Sequence, residues 1–186
     1  MLAESVRARL RTNQSRTELV AAEEEARLSQ ESLLAELAAR MEKIGPLDAI
    51  RVTSAKELGE ASPMMAGWVR RENAARHNVF GRAYFVLWRH ADGLDLPAFL
   101  VEYLSDSSTT AVNAWPLVGS GGGGGGGAAF SFTVGSVKKP RSKCHHTLRL
   151  DGKSTAGLER FKIVMGTDEP ADLARWRAAF GLLAGG

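Results

Sequence analysis

After Pro63 the chain breaks into seven short runs rich in aromatic and β-branched residues, and then its period changes. The runs read "MMAGWVRRE", "GRAYFVLWRH", "PAFLVEYLSD", "TAVNAWPLV", "AAFSFTVGS", "CHHTLRLDG" and "ERFKIVMGT". Turn-forming residues separate them at Asn78, Asp92-Gly93, Ser105-Asp106-Ser107-Ser108 and Asp151-Gly152. Short strands with turn chemistry between them predict an antiparallel β architecture. In the fifth run Phe130, Phe132 and Val134 alternate with Ser131, Thr133 and Gly135, the period-2 pattern of a half-buried strand. In "DEPADLARWRAAFGLLAGG", by contrast, Leu173, Trp176, Phe180 and Leu183 recur at helical spacing. Pro170 suits the first turn of that helix and Gly185 its end. The expected fold class is therefore mainly β with α: seven antiparallel strands in a sandwich or partly open barrel, closed by one C-terminal amphipathic helix.

The first third reads differently. Residues 5–44 contain no proline and no glycine and are dominated by Ala, Glu, Leu and Arg, which lose little entropy in a helix. Leu34, Leu37, Met41 and Ile44 share a face, but the same seam falls on Arg27 and Gln30 one heptad earlier. Two apolar heptads are too short for a coiled coil, and packing on a neighbouring element is favoured over pairing with a second helix. Gly45-Pro46 stops the helix, while residues 47–62 read equally as a short helix or a strand. The chain thus divides into a helical extension and linker, residues 1–62, and a β domain, residues 63–186. Within the latter, residues 119–127 are glycine apart from Ser120; backbone entropy denies them a packed structure and makes them a spacer loop.

Composition narrows the setting. No apolar run approaches the roughly 20 residues that span a bilayer, and the start has no apolar signal-like stretch. A single cysteine, Cys144, excludes an internal disulfide and fits a cytoplasmic, reducing compartment. Charge is uneven: residues 1–50 hold seven Lys/Arg and nine Asp/Glu, the remainder 17 and 12. Anion attraction, a net +5, is therefore expected after residue 50.

Motifs for chemistry are weak. "GKST" (152–155) ends like a phosphate-binding P-loop, but the required first glycine is Thr147 and a strand follows instead of a helix. Cys144, His145 and His146 lack a second ligand pair at the spacing of a tetrahedral site. No serine or cysteine is singled out with a histidine and an acid. Neither catalysis, nor a cofactor, nor a metal is expected. The basic run at 138–146 reads as a solvated loop, so no nucleic-acid partner is expected.

Three segments together resemble the pleckstrin-homology (PH) family over about residues 64–184. "GWVRR" (67–71) resembles its opening strand, "FGRAYFVL" (80–87) its second, and "ADLARWRAAF" its C-terminal helix, with Trp176 at the family's most regular position. The resemblance implies a barrel whose end is filled by Trp176, with Phe85, Leu87, Leu173 and Phe180 as core partners.

It also implies where phosphate would be held: one basic residue on the first strand, a [KR]-x-R pair opening the second, and the loop between strands six and seven. Arg71 falls on the first position and Lys153 near the last. The [KR]-x-R pair falls on Gly81 and Ala83, and Arg82 between them faces away if Phe85 and Leu87 face the core. The phosphoinositide grip is thus incomplete. Arg70, Arg71, Arg76 and Arg82 are still expected to attract an anionic membrane surface, each by about 1 kcal/mol when close to it. The expected function is a non-enzymatic adaptor or targeting module that binds anionic membranes weakly and peripherally through the first hairpin. The alternative is a protein-interaction scaffold that has lost lipid binding, its partner held by the N-terminal helix or the open barrel end.

Overall fold

A computed structural model describes residues 2–73, 75–76, 79–90, 96–118, 129–136, 146–154 and 159–184, with side chains from Arg16 onward except Thr17. The glycine run, the basic run as far as His145 (with Cys144), Asn78, Asp92-Gly93, Thr155 and Gly185 lie outside the described residues. Each of the seven runs holds one strand: β1 (Met65–Glu72), β2 (Phe80–Trp88), β3 (Ala98–Tyr103), β4 (Asn113–Val118), β5 (Phe130–Ser136), β6 (His146–Ser154) and β7 (Arg160–Thr167). The last segment forms α4 (Pro170–Ala184), with Pro170 at its start. Residues 2–44 form α1 (Leu2–Ile44), a helix of 43 residues.

Neighbouring strands pair in chain order, and β7 returns to β1. The ring has two thin seams. β1 meets β7 only at Arg70–Gly166 and Arg71–Met165, and β4 meets β5 only at Leu117–Phe130 and Val118–Ser131. The sheet is therefore mostly antiparallel, with β4–β5 parallel over those two pairs.

One expected turn is not there. Asp151-Gly152 lies inside β6, paired with Lys162 and Phe161. Gly152 serves packing: a Cβ at this position would fall 2.0 Å from the Phe161 ring. The missing side chain makes room for an aromatic one.

The barrel interior holds one core. Phe85, Leu87, Leu100, Leu148, Leu150, Ile163 and Met165 point inward, and α4 seats Trp176, Phe180 and Leu183 among them, with Leu173 packed alongside. Trp176 and Phe180 stack at 5.9 Å, and Phe180 meets Phe132 edge-on at 6.0 Å. Inward parity on β2 belongs to Ala83, Phe85 and Leu87.

A second core covers the outside of the same strands. Val86, Trp88, Phe99, Val101 and Tyr103 face away from the barrel into Leu37 and Met41 of α1, together with two short helices. Residues 47–62, undecided in sequence, supply these helices: α2 (Pro46–Val52) buries Ala49 and Ile50, and α3 (Ala55–Glu60) buries Ala55 and Leu58. Ser54 and Glu57 cap α3 reciprocally, satisfying backbone N–H groups that the helix start leaves open. Two buried polar ends lock the layer: Trp88 Nε1 donates to the Ala61 carbonyl at 2.8 Å, and the Tyr103 hydroxyl donates to the Thr53 carbonyl at 2.9 Å. Burial pushes the Tyr103 phenol well above its ordinary range, helped by the nearby Glu57 carboxylate. Ile44, expected on the packed face of α1, is exposed instead, because the helix ends at Gly45, whose φ of +87° turns the chain away.

Replacing Trp176 by alanine removes about 200 Å² of buried aromatic surface and leaves a cavity. The expected loss is about 3–5 kcal/mol in stability, read as a lower denaturation midpoint in urea. An unchanged midpoint contradicts the plug.

Candidate functional site

The β1–β2 hairpin sets the end of the barrel to inspect. Arg71 pairs with Gly81 across the hairpin and with Met165 of β7, so the start of β7 lies towards this same end. The β3–β4 turn also lies here, since Tyr103 is level with Tyr84 and the strand runs on towards the hairpin.

The hairpin arginines do not converge. Arg71, on the inward parity of Val69, forms an ion pair with Glu102 through Nη1 and Oε2. Its guanidinium also lies 5.5 Å from the centre of the Trp115 ring. Glu102 is 7% exposed and Arg71 25%. The Asn113 side-chain amide donates to the same carboxylate oxygen at 2.6 Å. Trp115 continues into an aromatic cluster, stacking on Phe85 at 6.5 Å and meeting Phe161 at 5.8 Å. Arg71, expected to attract phosphate, is thus already engaged by the chain's own carboxylate.

Arg70 and Arg82 are opposite each other in register and share the outer face with Trp68 and Tyr84. Arg70 Nε donates to Asp168 at 2.6 Å. Arg82 lies over the Trp68 ring at 4.7 Å, and Trp68 meets Tyr84 edge-on at 5.6 Å. The hydrogen bond from Arg70 holds the Asp168 carboxyl below its usual range, with the charges of Arg70 and Arg82 adding to it. Gly81 is exposed and Ala83 is in the core, so neither [KR]-x-R position carries a cation.

Arg76 sits in the turn itself, where the Asn73 side chain accepts from the backbone N–H groups of Ala75 and Arg76 at 2.8 and 3.1 Å. Two exposed aliphatic residues share this rim, Val79 (52%) after the turn and Leu104 (76%) beyond β3.

Lys153 lies towards the same end but on the outer face, away from Arg71. It is part of β6, not of the turn after it, directly opposite Arg160 on β7 and Ser131 on β5. Its face is the outside of β5–β7, where Arg149, Lys162 and the Asp151 carboxylate also lie. Arg149 and Asp151 pair at 2.6 Å.

Glu102 and Asn113 were not singled out in the sequence, although one signal was present. Glu102 is the one acid in "AFLVEY", at a position with the parity of Ala98 and Leu100. A carboxylate on the inward side of an apolar strand needs a cation, and Arg71 supplies it. Among the described residues, no group of three or more His, Cys, Asp or Glu is placed to hold a metal, and no buried side-chain polar atom lacks a partner.

No family model and no curated protein matches the chain. A solved structure with a distant PH-like resemblance is the C-terminal PH domain of pleckstrin in complex with D-myo-Ins(1,2,3,4,5)P5. It is 15% identical with a TM-score of 0.44, over 66% of this chain and 99% of that one. So distant a likeness assigns no residue roles, and the site rests on this chain's own contacts.

The two ion pairs differ in burial and so in consequence. Glu102→Ala strands a mostly desolvated guanidinium and is expected to cost about 3 kcal/mol, at the low end for a buried pair because Arg71 keeps some solvent. Asp168→Ala, at a mostly exposed carboxylate, is expected to leave the urea midpoint nearly unchanged. Equal effects of the two substitutions contradict this ordering.

Proposed function

We propose that this chain is a non-enzymatic, PH-like adaptor that works through protein contact, with a barrel mouth that does not grip phosphate. The observation that carries this reading is the Arg71–Glu102–Asn113 cluster. A phosphate reaching Arg71 must displace a carboxylate already in place and leave that carboxylate buried without its cation, a desolvation penalty of several kcal/mol. Arg70 is likewise held by Asp168. The polar side chains in the mouth bond to one another, which suits structure better than chemistry.

Protein contact has a handle. From residue 18 to residue 29 every residue of α1 is exposed, and only its later turns reach the body at Leu37 and Met41. The free part carries Leu19, Val20 and Leu28 at more than half exposure.

A second reading, weak peripheral docking on an anionic membrane surface, is favoured by Val79 and Leu104 on one rim beside Arg76 and Arg82. Aliphatic tips flanked by cations suit a headgroup boundary, and the attraction falls with salt.

Vesicle sedimentation with the full chain separates the two. Phosphatidylcholine vesicles, alone, with phosphatidylserine, or with a phosphoinositide, are compared at about 50 and about 150 mM salt. The adaptor reading predicts no binding to any of the three vesicles, even at the lower salt. Anionic binding at low salt that Arg76→Ala and Arg82→Ala each weaken about fivefold supports the peripheral reading, fivefold being the equivalent of about 1 kcal/mol. Saturable preference for one phosphoinositide, abolished by Arg71→Ala, overturns the account of the mouth.

A further inference from the structure

We infer that the free, acidic part of α1 docks on the basic outer face of β5–β7 in a second copy of this chain, giving a head-to-tail self-assembly. This rests on the reading of α1 as a partner-binding handle and names the partner. The basic face is built from Lys153, Arg160, Lys162 and Arg149 around one acid, Asp151. Arg149 takes up that acid. Lys153, Arg160 and Lys162 form no ion pair among the described residues, and all three are exposed. Lys153 and Arg160 stand directly opposite each other across β6 and β7. Like charges in that register repel, and an anionic partner laid over them removes the penalty.

The complementary surface is on the same molecule but out of its own reach. Between Arg16 and Glu31, α1 carries Glu18, Glu23, Glu24, Glu25 and Glu31 against Arg16 and Arg27. Arg27 is shared by Glu24 and Glu31, at 2.6 Å each, which leaves Glu18, Glu23 and Glu25 with no ion pair among the described residues. Glu18 and Glu25 are seven apart, on one face and about 10 Å from each other along the axis. That matches a patch about 10 Å across three strands and about 13 Å from Arg149 to Lys153 along β6. The helix is anchored on the outside of β2–β4, whereas the patch is the outside of β5–β7. A chain's own helix leaves from a different side of the barrel than its own patch, so the docking is between molecules. The two surfaces differ, which makes the contact heterologous and able to propagate.

Sedimentation equilibrium of the full chain tests this. At about 50 mM salt the weight-average mass is expected to rise above 20.0 kDa with protein concentration, and at about 500 mM to return to it, a weakening of at least about tenfold. Two variants, checked for folding by circular dichroism, locate the contact. Glu18→Lys with Glu25→Lys, and separately Lys153→Glu with Arg160→Glu, are each expected to stay at monomer mass at low salt. Their equimolar mixture is expected to associate again, because both contacts between unlike variants have opposite charge. A monomer mass for the unaltered chain at low salt overturns the inference. So does association that survives the Lys153/Arg160 changes, which places the contact between helices, and so does a mixture that stays monomeric. None of these results bears on the mouth, which the vesicle measurement tests separately.

Discussion

Burial of β2, β3 and β4 on both faces is the constraint from which the rest of the arrangement follows. β3 has no exposed residue at all: Ala98 and Leu100 look into the barrel, while Phe99, Val101 and Tyr103 look out into α2, α3 and the end of α1. A sheet covered on both sides anchors two groups of helices at once. α4 closes the inside through Trp176, and the linker helices close the outside. Leu37 to Ala61 complete a core that Trp88 and Tyr103 cannot complete alone.

That use of one sheet decides which surfaces remain. The outside of β2–β4 is spent on helices, which leaves the hairpin rim, the outside of β5–β7 and the free turns of α1 uncovered. At the rim, the cations expected to attract phosphate are mostly turned to internal use. Glu102 holds Arg71 inside, Asp168 holds Arg70 outside, and Arg82 lies on Trp68. The excess positive charge after residue 50 is real in composition, yet four of its exposed cations, Arg149, Lys153, Arg160 and Lys162, stand on the outside of β5–β7. Charge counted along a sequence does not tell which face it is on.

How much was legible follows from the range of each signal. Strand runs and the C-terminal helix were readable because their periods, 2 and 3.6, are local. Strand parity also placed Arg82 outward, since Phe85 and Leu87 fix the inward side of β2. The short helices were not readable: six or seven residues hold too few turns to show a period, and Leu58 or Ile50 alone do not say which sheet they meet. The second core did leave a trace, because "AFLV" and "FVLW" are continuous apolar runs of the kind that a doubly buried strand shows. Gly152 was misread as a turn because a glycine in a turn and one that admits a neighbouring ring look alike in sequence. Glu102 was missed since its partner, Arg71, is 31 residues away and meets it only when β1, β2 and β3 are laid side by side.

Native-state hydrogen exchange tests the two-faced burial most directly. If α2 and α3 complete the core of β2–β4, the amides of Ile50 and Leu58 exchange through the same opening, with the same free energy and denaturant dependence, as those of Leu100 and Val101. Fast exchange at Ile50 and Leu58 while Leu100 and Val101 stay protected would contradict it, and would mean that the outer helices merely rest on a barrel that is stable without them.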